Sequence, residues 1–244
     1  MKPSWPSVFS FSVVIAFATQ EASAREPAKL ILNTGAVAPF TSPDRSGFLD
    51  HAIKEIFERI GRLAEVAVHE GTARALLLAN DGTDDGAAMR VAGLERNFPN
   101  LVRIPEKLID NFFGAFAAGR EPETFEPEIF ARHQTAYISG WQVFERIVPP
   151  SPNVTRVQDA RQLFDLLRNG RTEIVLYESS QGRHHLREQN IAARLLEPPV
   201  FRTEMFIYLH KKHAGLVDGA ARALAEMKRD GRWDRIFADT LGSE

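Results

Sequence analysis

The side chains best equipped for chemistry in this 244-residue sequence are histidines, arginines and acids, because it contains no cysteine. His184-His185 and His210-Lys211-Lys212-His213 have the outline of metal-binding pairs. Adjacent residues diverge on a helix or strand, and two lysines between histidines repel a dication. Both groups therefore read as surface histidines, and no metal site is expected. The acid-rich run Glu121-Pro122-Glu123 and Glu126-Pro127-Glu128 reads as a solvated loop. There is no Gly-x-Ser-x-Gly turn, no Gly-rich phosphate loop and no thiol nucleophile. No catalytic constellation stands out, and no cofactor is expected.

The elements that must position any functional group alternate between strand and helix. Leu30-Ile31-Leu32 reads as a buried strand. The stripe 48, 49, 52, 53, 56, 57, 60 is a helix stopped by Gly61. Glu65–His69 is a strand, Ala73–Asn80 a helix ended by Asp81-Gly82, and Ala87–Val91 and Leu101–Ile104 are further strands. After the apolar Phe112–Ala118, a Pro- and Glu-rich stretch from Gly119 to Pro127 breaks the composition, and the pattern restarts. Thr135–Ile138, Asn153–Val157 and Thr172–Tyr177 read as strands. Trp141–Ile147 reads as a helix, and Asp159 caps another that ends at Asn169-Gly170. Ser179-Ser180 is expected to cap a polar helix, Met205–Leu209 to be a strand, and Leu216–Arg229 and Trp233–Leu241 to be closing helices. Each half runs strand, helix, strand, helix, polar-Gly turn, strand, so two similar α/β lobes are expected rather than a solenoid.

Composition narrows the setting. Lys2, the apolar run Val8–Ala18 and Ala22-Ser23-Ala24 form the pattern of a secretory signal, with cleavage expected after Ala24. That run is far shorter than the roughly 20 residues a spanning helix needs. The remaining chain of about 220 residues suffices for one large domain or two lobes. Charges of both signs are interspersed with a net of −2, so no nucleic-acid face is expected. A soluble, periplasmic monomer is the expectation.

The order of these pieces resembles the family 3 extracellular solute-binding proteins, the polar-amino-acid receptors of ABC importers. The resemblance is carried by Ala38-Pro39-Phe40 with Asp44 to Asp50, by Arg74 to Asp84, by Glu95-Arg96, by Gly170-Arg171-Thr172-Glu173, and by Leu224 to Phe237 with its Asp230-Gly231. It covers nearly the whole chain after residue 24. It implies an α/β, bilobal, type II periplasmic-binding-protein-like fold, two mixed-sheet lobes joined by two hinge strands. Lobe 1 would be 25–113 plus 206–244 and lobe 2 114–205, with hinges in Phe112–Ala118 and Met205–Leu209. The implied function is binding of a small polar or anionic solute by hinge closure for ABC-type import. Partners would be the solute and a membrane permease or, alternatively, a sensor receptor. A cyclohexadienyl-dehydratase-like enzyme using Glu173 or Glu178 is a further alternative.

The resemblance also implies a binding set. An arginine after the third strand would grip a ligand carboxylate. The family interval from Asp84 falls on Arg96, whereas Arg90 is nearer the C-terminal end of its strand, where ligands of open α/β sheets bind. Glu178 occupies the position of an acid that holds an ammonium group. Gly140, Trp141 and Gln142 lie where helix-start amides would face an anion, and Phe40 would supply an aromatic wall. Ala88, Met89 and Val91 stand where the family has hydroxyl donors, which argues against a standard α-amino-acid pocket and for an organic acid or peptide-like solute.

Overall fold

A computed structural model describes residues 1, 29–69, 72–119 and 122–242. The expected signal segment, apart from Met1, lies outside the described residues. The first half alternates β1 (Leu30–Thr34), α1 (Phe48–Glu58), β2 (Ala64–Val68), α2 (Thr72–Asp81) and β3 (Gly86–Val91), then a 3-10 turn (Leu94–Arg96) and β4 (Leu101–Arg103). The middle holds β5 (Ile109–Ala118), α3 (Ile129–Arg132), β6 (Thr135–Ile138), α4 (Gln142–Ile147), β7 (Val154–Val157), α5 (Ala160–Arg168), β8 (Ile174–Glu178), α6 (Ser179–Glu188) and β9 (Ala193–Leu195). The chain closes with β10 (Phe201–His210), a 3-10 segment (Lys211–Leu216), α7 (Val217–Arg229) and α8 (Arg232–Thr240).

Local chemistry sets these elements. In α1 six residues of the expected stripe, Phe48, Leu49, Ala52, Ile53, Ile56 and Phe57, are buried, while the seventh, Ile60, lies just past the helix and is partly buried. Its start is tied down by Asp50, whose carboxylate accepts from the Ser42 and Gly47 amides, each at 3.1 Å. Asp159 caps α5 as expected, accepting from the Gln162 amide at 2.8 Å. One expectation fails. Neither Ser179 nor Ser180 caps α6, because the Glu178 carboxylate does so, accepting from the Ser180 and Gln181 amides.

The strands form one mixed ladder in the order β2-β1-β3-β10-β5-β8-β6-β7, with β4 on β10 and β9 on β5. β2, β1 and β3 are mutually parallel, as are β8, β6 and β7. The antiparallel β5 and β10 join the two sets, since Ile109–Phe113 pairs with Phe201–Met205. Beyond that crossing, β10 continues against β3 and β5 continues against β8. The buried apolar side chains divide accordingly. One core draws on Leu32, Phe48, Phe57, Leu209, Leu224 and Ile236. Beyond the crossing, two others cover opposite faces of the second strand set, with Tyr137, Phe144 and Leu176 on one side and Phe116, Phe164 and Val175 on the other. The fold is therefore bilobal α/β, with two long strands passing between the halves. Both begin before the apolar runs that reveal them in sequence. Between the apolar pairs Ile109–Met205 and Phe113–Phe201, Glu204 lies opposite Asp110, Thr203 opposite Asn111 and Arg202 opposite Phe112, and Arg202 also meets Asp110 at 2.8 Å. No helix among the described residues is long and apolar enough to cross a membrane.

Candidate functional site

The candidate site begins at an irregularity in β3. Phe206 opposes Arg90 and Tyr208 opposes Ala87, so Ile207 of β10 faces two residues, Ala88 and Met89. This is a β-bulge, and Met89 takes a φ of 58° within it. A left-handed, non-glycine residue in a strand stores about 1–3 kcal/mol and persists only where its surroundings enforce it. The consequence is the direction of Arg90.

Arg90 is 7% exposed. Its Nη2 donates to Asn33 Oδ1 at 3.3 Å, while its Nε is buried without a partner among the described residues. No carboxylate forms an ion pair with it among the described residues. Burial pushes its guanidinium down to about 10. A buried cation without a counter-charge is costly. It is also suited to paired hydrogen bonding with a carboxylate.

Behind Arg90 lies a polar chain that sequence reasoning missed. Asn33 Nδ2 donates to the Ala75 carbonyl and to Asp84 Oδ2, both at 2.7 Å. The same Asp84 oxygen lies 3.0 Å from His69 Nε2. Asn33 is fully buried and Asp84 nearly so, whereas the His69 side chain is 32% exposed. Asn33 follows the apolar run Leu30–Leu32 in β1, and His69 follows directly on β2. A polar residue at a strand's buried end was the available signal.

The other expected residues are distributed as follows. Arg96 is exposed on the 3-10 turn after β3. Glu178, only 4% exposed, ends β8 and caps α6. Desolvation outweighs its cap hydrogen bonds and raises its carboxyl to about 7. Next to it, the Ser179 hydroxyl is buried and has no hydrogen-bond partner among the described residues. Gln181 Nε2 reaches across to the Val37 carbonyl at 3.4 Å, linking α6 to the β1–α1 loop. Phe40 is buried in the first core, edge-on to Phe48 at 6.5 Å. Phe40 and Glu178 share one cavity of about 290 Å³ beside the crossing strands, with Asn111, Phe112, Ser179 and Phe237. Arg90, Arg96, Gly140, Trp141 and Gln142 do not line it.

Gly140 and Gln142 are exposed at the tip of the second strand set. The Gly140 amide donates to Glu145 Oε1 at 3.1 Å and the Trp141 amide to the Ile138 carbonyl at 3.3 Å. Trp141 stacks on Tyr177 at 4.8 Å and on Phe144 at 5.8 Å, with Phe113 edge-on at 6.1 Å. Among the described residues no cluster of three or more His, Asp or Glu could hold a metal. Glu173 is half-exposed and hydrogen-bonded to His133.

No protein-family model matches the chain, and no curated protein is similar to it. Solved structures are similar along its length. The probable amino-acid ABC transporter extracellular-binding protein of Bacillus subtilis has a TM-score of 0.74 at 14% identity, over 88% of this chain and 99% of that one. An ancestral arginine-binding protein bound to glutamine has a TM-score of 0.69 at 16% identity, over 90% and 100%. A histidine kinase sensor domain with similarity to periplasmic binding proteins has a TM-score of 0.68 at 13% identity, over 89% and 97%. The chain has the fold of the bilobal periplasmic binding proteins.

Proposed function

We propose that this protein is a non-catalytic periplasmic receptor that binds a small polar or anionic solute between its lobes, by hinge closure, for ABC-type import. The observation that carries the reading is Arg90, a buried guanidinium near the ligand-facing end of β3, aimed by a strained bulge and lacking a carboxylate partner among the described residues. Arg90 grips the ligand carboxylate, and the exposed Arg96 stays in solvent. Trp141, packed on Tyr177, offers an aromatic face from the opposite lobe, and Glu178 closes the hinge side. The division into 25–113 plus 206–244 and 114–205 is supported by the separate cores. The leader-like residues 1–24 support export.

Thermal-shift screening and calorimetry over amino acids and short carboxylates test this. A carboxylate that binds the natural chain but not Arg90→Ala, with Arg96→Ala unaffected, is the expected result. High affinity for ordinary polar amino acids that survives Arg90→Ala refutes the pocket. Delivery to a sensor receptor is the second reading, favoured by the likeness to a histidine kinase sensor domain. Neighbouring genes for a kinase rather than a permease would select it. Turnover of prephenate or arogenate, lost in Glu178→Gln, would overturn the non-catalytic assignment.

A further inference from the structure

The chain of hydrogen bonds behind Arg90 ends in a second group able to read a ligand. Arginine only donates, so Asn33 Oδ1 must be the acceptor and its amide nitrogen must face Asp84. A carboxylate accepts, so His69 donates to it from Nε2. Every proton in the chain is thereby oriented. In its neutral form the imidazole so held carries its proton on Nε2, which leaves the Nδ1 lone pair as an acceptor, and no partner for Nδ1 occurs among the described residues. Its ring is part-exposed, unlike Asn33 and Asp84, which are buried.

Topology brings the two free ends to one edge. β1 lies between β2 and β3, all three parallel, with Thr34 opposite Val68 and Asn33 opposite Ala87. His69 follows β2 directly and Arg90 precedes the last residue of β3. Both therefore sit toward the carboxyl ends of their strands, the ligand-facing side of such sheets. Two strand spacings separate them, about 10 Å of backbone, and both side chains lean inward toward the Asn33–Asp84 link.

We infer that His69, oriented by Asp84 and Asn33, is a specificity residue that accepts a hydrogen bond from a hydroxyl or amine carried a few carbons from the ligand carboxylate held by Arg90. The inference rests on the proposed carboxylate site and adds the ligand's second group. Asn33 and Asp84 are positioning residues. A ligand lacking the donor leaves Nδ1 desolvated and unpaired, the kind of loss that gives strong discrimination.

The test is calorimetry with matched four-carbon acids, each carrying hydrogen, hydroxyl or amine at successive carbons. The natural chain is expected to prefer one donor-bearing member over its unsubstituted parent by about tenfold or more. In His69→Phe that preference falls to near unity while the parent acid still binds. The hydroxyl and amine arms identify which donor is read. Arg90→Met loses every member. Equal binding of parent and substituted acids, or a preference that survives His69→Phe, overturns the role of His69 while leaving the Arg90 site standing. Absence of binding by the whole series removes both. Independently of ligand, nitrogen-15 spectra are expected to show His69 protonated on Nε2 at high pH, with that preference lost in Asp84→Asn. Protonation on Nδ1 in the natural chain would contradict the inference.

Discussion

At the residue scale, two buried ionisable groups work against stability. Arg90 bears its charge without a carboxylate partner among the described residues, so Arg90→Met is expected to raise the melting temperature, or leave it unchanged, while abolishing carboxylate binding. A clear drop in melting temperature would mean that the guanidinium is structural. Glu178 has the opposite charge and the same problem. Its folded-state carboxyl is raised to about 7, above its ordinary 4.5. The native state therefore binds the extra proton between those values, and stability falls as pH rises from about 4.5 to about 7. Glu178→Gln keeps one cap acceptor and removes the titration. Urea denaturation at pH 5 and pH 8 is expected to show a gap in the natural chain that narrows in the variant, by at most about 3 kcal/mol.

At the element scale, close approach between layers sets tolerances. Gly182 lies in α6 where an added Cβ would come within 2.2 Å of the Phe116 ring. Gly182→Ala is expected to destabilise by about 1–3 kcal/mol despite better helix propensity. Pairing it with Phe116→Leu is expected to recover part of the loss, a coupling readable in a double-mutant cycle. Legibility also varied by element. The α1 stripe, the Asp159 cap and the turn glycines that end elements were readable because each is a local, one-residue or one-period signal. The starts of β5 and β10 were not, because Asp110 and Asn111 in one strand, and Arg202, Thr203 and Glu204 in the other, interrupt the apolar pattern at the crossing. The Arg90 bulge left no mark either. Met89 gives no sign of a positive φ, which arises from the offset between β3 and β10. His69, Asp84 and Asn33 are separated by up to 51 positions and meet only once the sheet forms.

At the scale of the whole molecule, β5 and β10 tie the halves together, and among the described residues the Gln181 side chain adds a contact to the Val37 carbonyl. Each crossing strand is ten residues long, and in the proposed hinge closure small changes of backbone angle along them would rotate one core against the other without unpacking either. Small-angle scattering is therefore expected to show a smaller radius of gyration with a saturating carboxylate than without it. Identical profiles alongside calorimetric binding would argue for a rigid cleft. Shortening Gln181 to Ala removes the contact with Val37, and is expected to weaken binding modestly by favouring the open form.

The ladder order also has a consequence for how the polypeptide assembles as it leaves the ribosome. β3 is complete at Val91, yet one of its two neighbours, β10, begins only at Phe201, and α7 and α8 cover the same core later still. Until that late strand arrives, an unsealed edge and the greasy side of α1 wait in the nascent chain, while the segment between them can finish its own packing first. Export in an unfolded form would postpone the whole sequence of events until the C-terminus is through.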